Sequence, residues 1–334
     1  MIRRGEQDQR LLWRLRVAVV AAMALTAAPA LAADRIRIAA QKTGTLVWEL
    51  EILHAHGLDR EAGLTIETTE LASTEAGKIA LRAGSADLIV SDWLWVARER
   101  GLGDDLVFYP YSSGLGAVMV PANSSIRDIA GLKGKKIGVA GGPLDKSWLL
   151  LQAAAQRSGL DLRTQAQIAY GAPPLLSQKA LQGETDATLT FWNFCAELEA
   201  KGMRRAISIA DIVKGFSAAG PVAMVGYVFD GGWARGKAAL LDRFFTATRK
   251  AKQILADTPA EWRQLAPRLG ASNADALEVY RKRYAEGIPR RPVADEVADA
   301  QALYRVLAAV GGADLVGPAP ELDPGTFYKA GSGE

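Results

Sequence analysis

Cysteine and histidine are both scarce in this 334-residue chain, which contains one cysteine and two histidines. The single Cys195 excludes an internal disulfide, and we expect its thiol to pack as a small apolar group. His54 and His56 lie two positions apart on a predicted helix, so their rings point to different faces. A metal site or a nucleophile–base pair would need distant partners, and we therefore expect neither enzymatic activity nor a cofactor.

A phosphate-binding loop is missing where the glycines would suggest one. Residues 137–140 form a short apolar run that predicts a buried strand, and glycines and a proline then lead to a helix from Trp148. Ser147 is a good N-cap for that helix. A Walker loop needs glycine in place of Ala140 and Asp145, and this carboxylate would lie against phosphate oxygens. The stretch predicts either an ordinary turn of an α/β sheet or a cup of backbone N–H groups for another ligand.

The start of the chain has the pattern of an export signal. Residues 1–32 carry five arginines, and an apolar run at 17–28 precedes Pro29 and small residues at positions 30 and 32. This pattern predicts a signal peptide that is cleaved after Ala32 or Ala33, because the apolar run is too short for a membrane anchor. With no cysteine near the cleavage site, we also expect no lipid anchor.

The basic excess of the chain belongs largely to this leader. Of 40 basic and 37 acidic residues, the leader holds five of the former and two of the latter, Glu6 and Asp8. The remaining 35 of each sign cancel. We therefore expect no nucleic-acid partner and no helix on a membrane surface.

A shift of 99 residues superposes one part of the chain on another. Ile38 and Asp87 are 49 positions apart, as are Ile137 and Asp186, and the same shift superposes glycines and tryptophans. Each part predicts the order strand, helix, strand, helix, strand. Two similar βαβαβ lobes follow from this repeat, and each would bind ligand at the carboxyl ends of its strands.

The chain is predicted to cross twice between these lobes, through apolar segments at 116–121 and 220–229. We predict that lobe 1 comprises residues 34–117 and 222–334, and that lobe 2 comprises residues 118–221. Four further helices between residues 236 and 309 would pad lobe 1. The stretch from Leu315 onwards is rich in proline and glycine and predicts a loose tail.

Four motifs resemble those of a known family. They are residues 56–64 (HGLDREAGL), 80–87 (ALRAGSAD), 129–139 (IAGLKGKKIGV) and 180–187 (ALQGETDA). Together with the export signal, they resemble the periplasmic solute-binding proteins of ABC importers, in the branch for sulfonates, taurine, nitrate and thiamine precursors. The resemblance implies an α/β fold of the two-lobed type II periplasmic-binding-protein class, with two crossover strands at its hinge.

The same resemblance implies a biological role. A monomeric periplasmic protein of this kind closes on a small-molecule solute and delivers it to an inner-membrane ABC permease with its ATPase. Two alternatives stay open at this point. One is an exported enzyme on the same scaffold, and the other is a periplasmic sensor or partner subunit.

Aromatic and charged residues follow the predicted strands. Trp93 and Trp192 occupy equivalent positions, and their rings would sandwich a planar or cationic ligand unless each packs within its own lobe. Asp92 would bind an amine or ring N–H, or else cap a helix. Lys42 and Lys146 lie in equivalent loops and would neutralise an anionic ligand, unless both are solvated at the rim.

Hydroxyls and an amide near these positions complete the candidate set. The candidate ligand-binding residues are Lys42, Thr43, Thr45, Ser73, Thr74, Ser91, Asp92, Trp93, Gly142, Asp145, Lys146, Ser147, Trp192 and Asn193. No loop that we place in the cleft contains an arginine, which weighs against sulfonate or nitrate because arginine suits bidentate recognition of oxyanions. The sequence favours a small organic solute with a planar or amine-bearing part, such as a thiamine-precursor pyrimidine.

Overall fold

The described part of the chain begins after the predicted leader. The computed structural model describes residues 34–216, 219–271 and 273–331. The predicted signal peptide and its cleavage site lie outside these residues. Within them, no helix is both long and apolar enough to cross a membrane.

Two five-stranded mixed sheets form the framework of the protein. The strands are β1 (Asp34–Gln41), β2 (Leu64–Leu71), β3 (Leu88–Asp92), β4 (Leu106–Ser112), β5 (Ala117–Val120), β6 (Lys136–Ala140), β7 (Gln167–Gly171), β8 (Ala187–Thr190), β9 (Arg204–Ser208) and β10 (Val225–Asp230). The first sheet has the order β2-β1-β3-β10-β4, and the second has the order β7-β6-β8-β5-β9. The predicted two-sheet α/β fold is confirmed, with β10 and β5 as the crossover strands; the lobe boundaries stay a prediction.

The 99-residue repeat is visible in the pairing of the strands. The pairs β1–β3 and β6–β8 are both parallel and have equivalent registers. Asp87 accepts a hydrogen bond of 2.8 Å from the backbone N–H of Arg37, and Asp186 accepts one of 2.8 Å from that of Lys136. The two donor residues are 99 positions apart, and so are the two acceptor residues. An equivalent aspartate hydrogen bond therefore fixes the register in each sheet.

Helices cover the faces of both sheets. Those within the described residues are α1 (Leu46–Ala55), α2 (Leu58–Glu61), α3 (Thr74–Arg82), α4 (Trp93–Gly101), α5 (Lys146–Arg157), α6 (Leu162–Gln165), α7 (Pro173–Leu181), α8 (Trp192–Ala200), α9 (Ile209–Lys214), α10 (Gly231–Arg235), α11 (Ala238–Asp257), α12 (Trp262–Leu269), α13 (Ala274–Glu286) and α14 (Val293–Val316). Short 3₁₀ helices span Ala130–Leu132, Pro259–Glu261 and Pro324–Thr326. Helix α14 is interrupted at Gly312, whose φ is +61°.

The cap of α5 differs from the prediction. Asp145 Oδ1 accepts hydrogen bonds from the backbone N–H groups of Ser147 and Trp148, at 2.9 and 3.2 Å. The prediction that Ser147 is the N-cap was wrong, because the helix begins at Lys146 and Ser147 already lies in its first turn.

The C-terminal part packs more widely than the sequence predicts. Helix α11 packs against α1, beside the first sheet. In contrast, α13 contacts α8 and α14 contacts α5, and these two partners follow strands of the second sheet. The tail is also docked rather than loose. The Tyr328 N–H donates a 2.8 Å hydrogen bond to the Phe108 carbonyl of β4, and the Phe327 ring contacts that of Phe108 at 5.3 Å.

A buried ion pair joins α1 to α11. The ammonium of Lys252 pairs with the carboxylate of Glu49, and both side chains are almost fully buried. The hydroxyls of Tyr227 and Tyr284 donate further hydrogen bonds to Glu49, at 2.7 and 3.1 Å. Burial lowers the pKa of Lys252 despite the opposing effect of Glu49. Both oxygens of the Glu49 carboxylate therefore have partners, which offset the cost of burying its charge.

Candidate functional site

A cavity of about 190 Å³ lies between the two sheets, at the carboxyl ends of their parallel strands. The end of β3 lines it, together with the segments that follow β1, β2, β6 and β8 and the connection from β4 to β5. Parallel strands of an open α/β sheet end at one edge, so the loops that follow them meet there. This is the edge at which the 99-residue repeat predicts a ligand.

Most of the candidate residues lie around this one cavity. The candidates that line it are Thr43, Thr45, Thr74, Ser91, Asp92, Asp145, Lys146, Ser147, Trp192 and Asn193. They form two sets, one between positions 43 and 92 and the other between positions 145 and 193. The two sets lie in the two halves of the 99-residue repeat. Their role in binding stays a prediction.

Trp93 does not line the cavity. Its side chain is fully buried, and its ring contacts those of Tyr304 and Phe327, each at 6.4 Å between centroids. The ring therefore packs beneath α4 against α14 and the tail. The expected sandwich with Trp192 is corrected accordingly, because the docked tail provides Trp93 with an apolar environment away from the cleft.

Three other candidates also lie outside the cavity lining. The Lys42 side chain is exposed, and its backbone N–H bonds the Leu71 carbonyl at 2.8 Å. Ser73 caps α3, accepting a hydrogen bond of 3.2 Å from the Ala76 N–H. Gly142 is half-buried in the loop before α5. The structure assigns Ser73 a helix-capping contact, and it places Lys42 and Gly142 away from the cavity.

An ion pair spans the cavity from one sheet to the other. Lys146 Nζ, at the start of α5, lies 3.2 Å from Asp92 Oδ2, at the end of β3. Burial works to raise the pKa of Asp92, but Lys146, Lys78 and the Trp95 N–H hold that pKa below its ordinary value. Burial works to lower the pKa of Lys146, but Asp92 and Asp145 raise it. Both groups are therefore charged at neutral pH.

Asp92 combines two roles that the sequence presented as alternatives. Its Oδ1 caps α4 by accepting a 2.9 Å hydrogen bond from the Trp95 N–H, while Oδ2 faces Lys146. Asp145 likewise caps α5. Burial raises the pKa of Asp145 above its ordinary value, against the effects of Lys146 and the two backbone N–H groups. The two carboxylates thus have pKa values displaced in opposite directions.

Hydroxyl groups supply the other polar atoms of the lining. Thr45 Oγ1 and the Tyr111 hydroxyl share a hydrogen bond of 2.9 Å, and Thr74 Oγ1 donates one of 3.3 Å to Gln41 Oε1. Ser91 differs from these. Its side chain is buried, and its Oγ has no hydrogen-bond partner within the described residues. Because a buried hydroxyl without a partner is costly, Ser91 Oγ is well placed to bond a ligand.

Two helices begin at the cavity without a side-chain cap. Helix α1 follows Thr45 and helix α8 follows Phe191, and neither of these N-cap side chains accepts a hydrogen bond from its helix. The first-turn N–H groups of a helix have no intrahelical partners and carry partial positive charge. The beginnings of α1 and α8 can therefore donate hydrogen bonds to an electronegative group in the cavity.

Trp192 joins the two sheets at the cavity. Its ring meets that of Trp48 in α1 edge-on, at 5.8 Å, and lies 6.1 Å from that of Tyr284 in α13. Next to it, Asn193 Nδ2 donates a 3.4 Å hydrogen bond to the Thr43 carbonyl. These contacts cross between the sheets, so the structure has the cleft in a closed arrangement.

Sequence reasoning missed several residues of the lining. Tyr111, Ser112 and Leu115 come from the end of β4 and the connection to β5, and Phe191 and Phe194 flank Trp192. The apolar and aromatic run at 106–112 was a usable signal, because such a run indicates a strand. For Phe191 and Phe194, the only indication in the sequence was that they lie close to Trp192.

Cys195 lies behind the cavity and is inert. Its side chain is fully buried in α8, and burial raises the pKa of its thiol to about 11. The thiolate is the reactive form, so the group has little reactivity at neutral pH. This agrees with the expectation that it packs as an apolar residue.

A family model described as NMT1/THI5 like matches residues 54–262, well over half of the chain. No curated protein sequence matches this chain. The fold is similar to that of several solved structures. The Escherichia coli periplasmic aliphatic sulphonate binding protein SsuA has a TM-score of 0.71 and 20% identity, covering 89% of this chain and 92% of its own.

Two further solved structures are similar over the same share of this chain. The alkanesulfonate-binding protein SsuA from Xanthomonas axonopodis pv. citri, bound to MOPS, has a TM-score of 0.69 and 20% identity, covering 89% of this chain and 98% of its own. A putative periplasmic sulfonate-binding protein SsuA from Methylobacillus flagellatus KT has a TM-score of 0.60 and 17% identity, covering 89% and 92%. These likenesses establish the periplasmic-binding-protein fold.

Proposed function

The chain belongs to the NMT1/THI5-like family, and on this premise we propose that it is the solute-binding component of an ABC importer. After export and cleavage of its leader, the monomeric protein binds a small organic solute in the periplasm. It then delivers this solute to a membrane permease that is driven by an ATPase.

The ion pair between Asp92 and Lys146 carries this proposal. It brings one charged group from each sheet into the same cavity, where Trp192 and Asn193 also cross from the second sheet to the first. A solute in this cavity contacts both sheets only when the cleft is closed. Binding therefore favours the closed form over an open one, in proportion to the contacts that only the closed form provides.

The lining favours an organic solute over an inorganic one. Leu46, Val90, Phe191 and Trp192 provide apolar walls, and the uncapped beginnings of α1 and α8 face a polar head group. An amine would instead lie beside a carboxylate of the lining. Inorganic nitrate fits less well, because it has no carbon skeleton to fill the apolar walls. None of the described residues that line the cavity is an arginine, which weighs against nitrate and sulfonates alike. Alkanesulfonates, which the similar SsuA proteins bind, and amine-bearing pyrimidines are thus the first two classes to test.

A ligand panel tests the proposal. Mature protein is screened by thermal shift against alkanesulfonates, nitrate, pyrimidines, amines and small organic acids, and each hit is recovered and its mass measured. Because a ligand that binds only the folded state raises the melting temperature by mass action, we expect a shift that grows with ligand concentration. We expect the ligand to be recovered chemically unchanged.

A Trp192→Ala variant locates the bound solute. Loss of the indole from the cavity wall removes apolar and aromatic contact, so we expect affinity to fall about ten-fold. Trp233→Ala is the matched control, since this half-buried tryptophan contacts Phe229 at 6.1 Å, away from the cavity. Equal affinity in both variants would show that the ligand does not bind in the cleft. A hit recovered with an altered mass would favour the enzyme alternative instead.

A further inference from the structure

A second cavity shares no lining residue with the cavity in the cleft. It has a volume of about 430 Å³ and is bounded by β4, by α11 and by the segment 288–293 that joins α13 to α14. We call it the back pocket. The segment beside it is tied to the crossover, because the Ser113 N–H donates a 2.9 Å hydrogen bond to the Gly287 carbonyl.

The back pocket is strongly cationic. Arg249, Lys252, Arg290 and Arg291 line it, and none of the described residues in its lining is acidic. This contrasts with a mature chain in which the two signs of charge balance. Cations that share a cavity repel one another, so such an arrangement costs free energy until an anion enters.

Two of the four cations are already neutralised. Lys252 pairs with Glu49 inside the protein, and Arg291 Nη1 lies 2.7 Å from Asp299 Oδ2. The other two are not. Arg249 is held by neutral groups, donating 3.1 Å hydrogen bonds to the Tyr109 hydroxyl and to Thr246 Oγ1.

Arg290 is the second cation without a carboxylate. Its side chain is exposed, and it forms no ion pair with any residue between 34 and 331 that the structure describes. Arg249 likewise forms none with these residues. The pocket therefore carries about two uncompensated positive charges at its mouth.

The walls between these arginines are apolar and rigid. The Tyr109 ring stacks on that of Phe245 at 3.8 Å with an interplanar angle of 13°, and Ile288 and Pro289 line the opposite segment. Tyr109 is also the anchor of the Arg249 guanidinium. Two hydrogen bonds thus hold that guanidinium before any ligand arrives, which lowers the entropy cost of binding.

We propose that the back pocket is a second binding site, separate from the cleft, for a small organic oxyanion with two or more negative charges. The planar guanidinium presents N–H groups in a fork that matches carboxylate or phosphate oxygens, and two such forks suit a dianion or trianion. The apolar walls accommodate the carbon skeleton that carries these groups. Free polycarboxylates and phosphate esters share this chemistry.

Calorimetric titration of the mature protein with citrate tests the site, with inorganic phosphate as the second probe. We expect one citrate per chain, with an affinity that weakens as NaCl rises from about 20 to 200 mM because screening acts on exposed charges. If phosphate alone binds with the same affinity, the site needs no organic skeleton, and the organic part of the proposal fails.

Paired substitutions locate the citrate. Arg249→Ala/Arg290→Ala should weaken binding about ten-fold or more, since two charge-assisted contacts are lost. Arg263→Ala/Arg305→Ala removes the same charge from exposed positions outside the pocket and should change affinity less than about two-fold. Arg290→Glu guards against misfolding, because this exposed side chain has no hydrogen-bond or ion-pair partner among the described residues, and the variant should abolish binding by repulsion.

Three results would overturn the back pocket as an anion site. The first is the absence of citrate binding by the wild-type protein at low salt. The second is equal affinity in the two double variants. The third is loss of citrate binding in Lys146→Ala with retention in Arg249→Ala/Arg290→Ala, which would assign the anion to the cleft.

Discussion

At the scale of single residues, the hydroxyl of Ser91 is the most sharply testable group of the cleft. It lines the cavity, is buried and has no partner within the described residues. If a ligand bonds this hydroxyl, Ser91→Ala should weaken binding about five-fold, the value of one net hydrogen bond. The stability of the free protein should not fall, because no bond within the protein is lost. Ligand titration and urea unfolding of the variant measure the two effects.

Ser177 provides a matched control for this substitution. Its Oγ is equally buried and also lacks a partner in the described part of the chain, but it lies in α7, outside the cavity lining. Ser177→Ala should therefore match Ser91→Ala in stability and leave ligand affinity unchanged. A loss of affinity in both variants would mean that the effect passes through the fold and not through contact with the ligand.

The opposed pKa shifts of Asp92 and Asp145 give a prediction about pH. The folded pKa of Asp92 lies below its ordinary value, so its contribution to stability is present above about pH 4 and is lost as the pH falls through the folded pKa. Asp92→Asn keeps a side chain that can cap α4 but loses the pairing with Lys146. We expect it to be less stable by about 2 kcal/mol at pH 6, with the difference shrinking towards pH 2.

Asp145→Asn should behave in the opposite way. The folded pKa of Asp145 lies above its ordinary value, so its contribution is present at low pH and is lost as the pH rises through that pKa. The variant should therefore gain stability relative to the wild type as the pH rises from about 4, the ordinary pKa of aspartate, through the folded pKa of Asp145. Unfolding free energies across this range measure both variants. Parallel pH profiles for the two would contradict the assigned charge states.

Residue roles were the hardest feature to predict from the sequence. The position of a residue after a strand correctly indicated the cavity for Thr45, Ser91 and Asp92, because strand ends converge at one edge. The same rule failed for Trp93. Its environment depends on the docked tail, more than 200 residues away in the chain, and no local pattern reports such a contact.

At the scale of elements, the residue before β5 has no room for a side chain. A side chain on Gly116 would place its Cβ 1.8 Å from the Thr190 carbonyl oxygen at the end of β8. Gly116→Ala must therefore push β5 and β8 apart beside the cavity. We expect a loss of at least about 2 kcal/mol in the free energy of unfolding, together with weaker ligand binding.

Gly142→Ala is the matched control for that substitution. A Cβ at Gly142 meets no atom within 4 Å, and the residue lies outside the cavity lining. Stability and affinity should both stay close to the wild-type values in denaturant and ligand titrations. If Gly116→Ala were equally neutral, the close approach of β5 to β8 would not hold in solution.

The sequence predicted the inner strands of both sheets and the edge strands β2 and β7, but it missed the other two edge strands. The 99-residue repeat located β1, β3, β6 and β8, since the alternating pattern of β1 and the short apolar runs of β3 and β6 each indicate a strand. The missed strands are β4 and β9, which lie at the ends of the two sheets. Pro110 interrupts the pattern of β4, and two arginines begin β9. Proline and charge are typical of edge strands and hide the signal of a strand.

At the scale of the whole molecule, contacts between α13 and α8 hold the two sheets in the closed arrangement. Arg283 Nε and Nη2 donate hydrogen bonds of 2.9 and 2.6 Å to the two carboxylate oxygens of Glu199. Trp192 and Tyr284 meet beside them. Helix α13 also contacts α11, so the C-terminal helices contact elements of both sheets, which the predicted padding of lobe 1 did not include. We expect the Arg283–Glu199 pair to favour the closed arrangement.

The most direct test of the clamp is a distance across the cleft, followed by energy transfer between two dyes. Ile79→Cys in α3 and Leu175→Cys in α7 provide exposed thiols on the two sides, and the buried Cys195, with a thiol pKa of about 11, should not compete for label. A ligand from the panel should raise the transfer efficiency as the closed population grows, and Arg283→Ala should lower it without ligand. An efficiency that is identical with and without saturating ligand, and unchanged by Arg283→Ala, would contradict closure around a solute.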